Sequence, residues 1–410
     1  MASEAPEPDV RASDLFYGAE QKPRIRIIYT GGTMVGGTPA EREESDSTRL
    51  PCSAPGPLLA FPCLRQGMKP DPTGSLAPAP GFLTQRIQEM EELQDHPEMP
   101  EFEVLEYDPL LDSADFNKQD WITIAEDIER DYLEYDGFVV ITGTDTMAFV
   151  ASALSFMLDN LAKPVILTGS QIPFNEVFND ARRNLILSMI FASRGDFPEV
   201  CIYFHDRLLR GNRTTKANSF RLDAFDSPNF EALADVGVNI TARHELGLQP
   251  PRLPFRVHKD LDSNIVVIKL VPGYEDQCIF DMVSHSQKLR AIIFEIYGTG
   301  NAPSRKSGLL KAIRRATERG ILVVALTQCL RGGVVLDKYA VGAALRDAGV
   351  VPGGDMTTEA CATKLAYLFG RKLPMERIAA ILTVNLRGEI SSQESYTNPV
   401  FTKNDVISRL

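Results

Sequence analysis

The sequence is short of the residues that announce the common cofactor chemistries. It holds one tryptophan and five histidines (His96, His205, His244, His258 and His285), and the histidines stand too far apart for metal-ligand spacing. Its six cysteines (Cys52, Cys63, Cys201, Cys278, Cys329 and Cys361) form no CxxC pair, so neither a zinc site nor a disulfide framework is signalled, and a reducing compartment follows. No GxGxxG, GxxxxGK(S/T) or GxSxG occurs, which weakens the dinucleotide, P-loop and nucleophile-elbow readings. No apolar run approaches ~18 residues, the length a membrane helix needs. The opening "MASEAPEPDV" is acidic and proline-rich where a signal peptide needs basic residues before an apolar core. No Lys/Arg run is long enough to track a phosphate backbone, and the net charge is −12. These absences predict a cytoplasmic protein with no metal, no cofactor, no nucleic-acid partner and no membrane association. The sequons at Asn212 and Asn239 carry no weight in such a chain.

What is present is ample core material. The 410 residues are 44% hydrophobic and 24% charged, enough for two domains. Residues 1–22 have few large apolar groups and read as a flexible arm, and the prolines between about 40 and 72 mark an insertion. Short β-branched runs follow: "RIRIIY" from Arg24, "FEVLEY" from Phe102, "GFVVIT" from Gly137, "PVILTG" from Pro164 and "EVCIYF" from Glu199. Between them Trp121, Ile124, Ala125, Ile128 and Tyr132 recur at helical spacing, as do apolar residues at 147–161 and 185–191. Strand and helix alternating in this way predicts a doubly wound α/β domain with a mostly parallel sheet over 23–240. A linker over 241–260 and a smaller α/β domain over 261–410 complete the expected plan, the latter built on "NIVVIKL", "RAIIFEIYG" and "ILVVALTQ".

Three polar clusters fall just past carboxyl ends of predicted parallel strands, the edge where open α/β sheets bind ligands. They are "TGGT" at Thr30–Thr33, "LLDSAD" at Leu110–Asp115 and "GTDTM" at Gly143–Met147. Each has a plain alternative: Gly31 and Gly32 permit a tight turn, Asp112 orders a turn, and Asp145 caps the next helix. Their convergence favours a site, with Thr33 as a hydroxyl open to close approach and Thr144 as a second hydroxyl beside Asp145. Lys216 in "RGNRTTKAN", shortly after the fifth strand and read onto the same edge, is the lysine that would complete the arrangement; its alternative is an ordinary solvated side chain.

With "IYTGGTM", "LLDSADF", "GFVVITGTDTMAF", "RGNRTTKA", "GTGNAP", "LTQCLRGGV", "GGDMTTEA" and "NLRGEI" in this order, the chain resembles the cytosolic type I L-asparaginases from about Arg24 to Glu389. The resemblance implies two-domain subunits in homodimers or homotetramers that hydrolyse L-asparagine to L-aspartate and ammonia without metal or cofactor. It implies Thr33 as the nucleophile of an acyl-enzyme, and Thr144, Asp145 and Lys216 as the group that positions the amide and moves protons. Asp112, Ser113 and the backbone at Ala114 would clamp the substrate's α-groups, with Gly143 and Thr144 donating to the oxyanion. Departures from the family pattern are Met34 and Val35 after "TGGT", Thr142 where a histidine is usual, and Ser75 where a mobile loop usually brings a tyrosine. Tyr339 in "LDKYAVG" is the expected substitute, with Tyr297 as the other candidate; "PGYEDQCIFD" lacks the arginine of a second, regulatory asparagine site. Two other readings compete: the asparaginase-like subunit of a tRNA-dependent amidotransferase, and a non-catalytic amino-acid sensor.

Overall fold

Alternating side chains of the short β-branched runs enter two different cores. Ile25, Ile27, Tyr29, Val139 and Ile141 pack on one face, and Ile28, Phe138 and Val140 on the other, as the period of two requires. The structure, a computed structural model, describes residues 22–32, 68–70, 76–78, 81–93, 96–174, 176–303 and 307–391. The elements of its two main layers are, in chain order, β1 (Arg24–Gly31), β2 (Glu101–Leu111), α1 (Lys118–Asp131), β3 (Gly137–Ile141), α2 (Met147–Met157), β4 (Val165–Thr168), α3 (Ala181–Arg194), β5 (Val200–Phe204) and β6 (Arg207–Arg210). There follow β7 (Thr215–Lys216), β8 (Phe225–Asp226), β9 (Ala234–Val236), β10 (Ile240–Ala242), β11 (Ile265–Lys269), α4 (Asp276–His285), β12 (Ala291–Ile296) and α5 (Ser307–Glu318). The last are β13 (Leu322–Thr327), α6 (Ala340–Asp347), β14 (Val350–Pro352), α7 (Thr358–Gly370) and α8 (Met375–Leu382).

The larger sheet has eight strands in the order β10-β9-β6-β5-β4-β3-β1-β2. From β2 to β5 all neighbours are parallel, and β3, β4 and β5 are buried along their whole length, as expected for strands covered on both faces. Beyond β5 the pairing turns antiparallel, because His205 takes a positive φ of 58° and lets the chain double back at once into β6. The second sheet, β11-β12-β13-β14, is parallel throughout. The expected α/β architecture, with a mostly parallel larger sheet and a smaller parallel one, is therefore the observed one.

The layers meet where α2 lies on α7, with the rings of Phe156 and Tyr367 stacked at 6.1 Å. Polar anchors reinforce the seam. Arg213, buried, forms a bidentate pair with Asp355 at 3.2 and 2.9 Å and donates to the Glu389 carbonyl at 2.8 Å. The Glu389 carboxylate is wholly buried and lies 2.5 Å from Lys364 Nζ, which also donates to the carbonyls of Leu382 and Val384. All three ammonium donors are thus satisfied, and the amides of Leu386 and Arg387 complete the carboxylate's shell. Burial disfavours both charges; Lys364 and the two amides nevertheless hold the Glu389 carboxyl below its ordinary range.

Two stability outcomes follow. Lys364→Met leaves a buried, unpaired carboxylate and costs about 3–5 kcal/mol in a urea titration; a loss below about 1 kcal/mol would contradict this geometry. Burial raises the Asp355 carboxyl, but hydrogen bonds and charge from Arg213, with bonds from Ser391, outweigh it and hold the group below its usual range. Asp355 therefore adds stability that is complete above the unfolded-state pKa of ~3.9 and is lost as pH falls through the lower folded value. The stability gap between wild type and Asp355→Asn should narrow steadily between pH 5 and pH 3 in parallel titrations, and a gap independent of pH would refute the assignment.

Candidate active site

The first strand lies next to the edge of the larger sheet with the second outside it, whereas the third, fourth and fifth build outward on its other side. The order reverses between β1 and β3, and at such a switch point a crevice opens at the carboxyl ends of the strands. Thr30 Oγ1 ties the end of β1 to β3 by donating to the Ile141 carbonyl at 3.1 Å. Gly31 and Gly32 then turn with φ of 133° and 95°. A Cβ on Gly31 would stand 2.1 Å from the Leu111 carbonyl oxygen, and one on Gly32 2.4 Å from the Gly143 nitrogen. These glycines are needed both for conformation and for contact. A Cβ on Gly143 would in turn meet Ser113 Oγ at 2.4 Å. The loops after β1, β2 and β3 thus converge, as the polar clusters predicted. Thr33 and Ser75 lie outside the described residues.

Asp112 performs the modest task first considered for it. Its Oδ1 accepts from the Ala114 amide at 2.9 Å and caps the short turn Ser113–Asp115, while its Oδ2 takes no hydrogen bond from a described residue. Both Asp112 and Ala114 are exposed, and Ser113 is buried, its carbonyl accepting from Thr146 Oγ1 at 2.7 Å.

Asp145 does not perform its modest task. No side chain caps α2. Asp145 Oδ1 instead accepts from Lys216 Nζ at 2.7 Å, and the same ammonium donates to Thr144 Oγ1 at 2.8 Å. The Thr144 hydroxyl donates onward to Gln171 Oε1 at 3.3 Å, so its proton points away from the lysine. Lys216 is largely covered and Asp145 largely open, with side-chain exposures of 19% and 68%.

Lys216 reaches this point by a route the sequence reading did not include. The segment was read as a loop at the carboxyl edge of the sheet, directly after the fifth strand. In fact β6 runs back, and Arg210 pairs with Cys201 near the start of β5. The chain then returns along α2. Asn212 Nδ2 donates to Ser155 Oγ near the end of that helix at 2.8 Å, and Lys216 meets Thr144 and Asp145 at its beginning.

Tyr339, the expected tyrosine, stands at the start of α6 with 49% exposure, and no hydrogen bond joins it to Thr144, Asp145 or Lys216. Tyr297 is half-buried and its hydroxyl has no hydrogen-bond partner among the described residues. Thr142, at the usual histidine position, is buried, and its Oγ1 likewise has no partner among the described residues. Sequence reasoning missed Gln171, although it follows β4 at the same edge; it also missed Arg213 and Thr215, which flank the lysine. Among the described residues no group of three His, Cys, Asp or Glu side chains is placed to hold a metal ion.

This geometry has known counterparts. Residues 24–247 match the family model "Asparaginase, N-terminal", and residues 264–382 match "Glutaminase/Asparaginase C-terminal domain". The chain is 44% identical to L-asparaginase 1 of Escherichia coli over 91% of its own length and all of that protein. Among solved structures it is similar to L-asparaginase I from Vibrio cholerae, with TM-score 0.75, 38% identity, and coverage of 91% of this chain and 100% of that one. It is similar also to the thermostable L-asparaginase from Thermococcus kodakarensis, with TM-score 0.75, 32% identity, and coverage of 90% and 100%. A switch-point crevice with a Thr-Asp-Lys cluster, matched along both layers of the fold, places this chain in the asparaginase family.

Proposed function

We propose that the chain hydrolyses L-asparagine to L-aspartate and ammonia through a threonine acyl-enzyme. The observation that carries this reading is the bridge from Lys216 Nζ to both Thr144 Oγ1 and Asp145 Oδ1, beside the contact of Gly32 with Gly143. Gly32 is the covalent neighbour of Thr33, so a nucleophile at position 33 begins one residue from the third loop.

The Thr33 hydroxyl adds to the side-chain amide carbonyl. The C–N bond breaks as the hydroxyl proton passes through the Thr144–Lys216–Asp145 cluster to the leaving nitrogen, and ammonia departs. Water then adds to the ester, the C–O bond to Thr33 breaks, and aspartate leaves with the hydroxyl restored. The amides of Gly143 and Thr144, in the loop that leads into α2, donate to the carbonyl oxygen as negative charge grows on it. Asp112, with Oδ2 open, receives the substrate's ammonium, while Ser113 and the Ala114 backbone meet its α-carboxylate. Tyr339 is the assisting tyrosine, contributed from a half-exposed position that a second subunit can bring to a neighbour's crevice.

We propose a homodimer or homotetramer acting in the cytoplasm. The exposed Phe178 and Phe220, on loops linked by Gln171 Nε2 donating to the Arg221 carbonyl, favour self-association. Among the described residues no helix is long and apolar enough to cross a membrane. The charge of −12 speaks against a tRNA-bound amidotransferase subunit.

Thr33→Ala should abolish ammonia release from asparagine, and Lys216→Ala should lower kcat by about 10²–10⁴-fold, the range typical of positioned proton transfer. Undiminished ammonia release in Thr33→Ala would defeat the mechanism. Glutamine should turn over more slowly than asparagine, because an extra methylene displaces the carbonyl carbon when the α-groups are fixed. Equal rates for the two amides would refute a clamp of fixed length.

A further inference from the structure

The two residues of β7 face opposite ways, as neighbours on a strand must. Lys216 turns towards the start of α2, whereas Thr215 turns towards the second layer, where its Oγ1 donates to Glu359 Oε1 at 2.7 Å. Glu359 belongs to the first turn of α7 and makes no salt bridge with a described residue. Its neighbour Thr358 donates to Glu295 Oε1 at 2.8 Å, which fixes the turn to the end of β12. Burial pushes the Glu359 carboxyl up, against hydrogen bonds from Thr215 and Thr357, and the Glu295 carboxylate adds to the rise. Glu359 is largely but not wholly covered, and a carboxylate so placed without a cation is costly, so its retention opposite a hydroxyl calls for a purpose beyond stability.

We propose that Glu359 is a positioning residue for the amide-hydrolysing site: by fixing the Thr215 hydroxyl it sets the face of β7 and thereby aims Lys216 at Thr144 and Asp145. This rests on the functional reading above. The remaining restraints on β7 are weaker in direction. The two-residue ladder to Phe225 and Asp226 and the Ala217 amide, which donates to the Ala224 carbonyl at 2.9 Å, set the register of the backbone, but the ladder is short and Thr215 is the side chain of β7 that ties it to the second layer. Upstream, Arg213 is fixed to Asp355, and Thr214 Oγ1 to the Arg210 carbonyl at 2.7 Å. Thr215 is the last side-chain anchor before the lysine, and it alone points along the axis opposite to the ammonium.

The test uses the full-length chain and four single variants: Thr215→Val, which removes the donor at nearly constant shape, Thr215→Ser, Glu359→Ala and Glu359→Gln. Thr215→Val and Glu359→Ala should each lower kcat for asparagine about tenfold, or ~1.4 kcal/mol, with KM within about twofold. Thr215→Ser and Glu359→Gln, which keep a donor and an acceptor, should stay close to wild type. The Thr215→Val/Glu359→Ala double variant should be no worse than its weaker single parent, since both remove one bond. In parallel, acetylation of Lys216 by an amine-reactive ester, followed by peptide mass spectrometry, should accelerate several-fold in the two disruptive variants. Unchanged Lys216 labelling and unchanged kcat in Thr215→Val would overturn the proposal, as would losses that add in the double variant. Should Glu359→Ala not fold, the Thr215→Val arm carries the same test. A wild-type chain that releases no ammonia would defeat the functional reading, and the labelling ratio would still decide the positioning role.

Discussion

Two stretches of backbone pass so closely at the reversal of strand order that neither can carry a side chain. Gly32 and Gly143 are in contact through main-chain atoms, and Ser113 closes the third side of Gly143. Without this contact the loops after β1, β2 and β3 would stand apart by at least the width of a methyl group, and the polar groups they carry would not converge. The constraint is steric and local, yet it depends on the whole sheet: β1 can offer its end to both neighbours only because β2 and β3 flank it.

Much of this was legible in the sequence because buried parallel strands write themselves as β-branched runs followed by glycine and polar residues. "RIRIIY" and "GFVVIT" announced both their strands and the loops beyond. The site's polar core, Thr144, Asp145 and Lys216, is likewise legible in the sequence, and the structure brings those residues within hydrogen-bonding distance. The route of Lys216 was not legible. A hairpin residue at positive φ normally advertises itself as glycine or asparagine, and His205 takes that place, so the reversal after β5 left no mark. Helices α4, α6 and α8 were missed for another reason. Each has ten residues or fewer, too short a span for an apolar stripe to repeat convincingly.

The partners of Arg213 and Thr215, the residues leading to Lys216, illustrate a further limit. Asp355, Glu359 and Glu389 lie more than a hundred residues beyond the segment they hold, and nothing local connects them to it. Their chemistry is ordinary in one dimension and specific only in three: a guanidinium closed into a fork, a hydroxyl opposite a carboxylate, an ammonium with every donor used. The smaller layer therefore serves as a frame for the segment that carries Lys216, and the seam between the layers adjoins the Thr144–Asp145–Lys216 cluster even though those three residues belong to the larger one.

The return of the chain along α2 makes that helix a measuring rod. From Met147 to Ser155 the helix rises ~12 Å, while the returning chain leaves a 3-10 turn at Gly211–Arg213 and runs extended from Thr214 to Lys216 for ~7 Å before the lysine side chain spans the remainder. The segment is anchored at both ends, by Asn212 and by Lys216, and adding or deleting one residue would turn the lysine to the opposite face of its strand. Evolution can thus exchange side chains in this stretch far more freely than it can alter the number of residues within it.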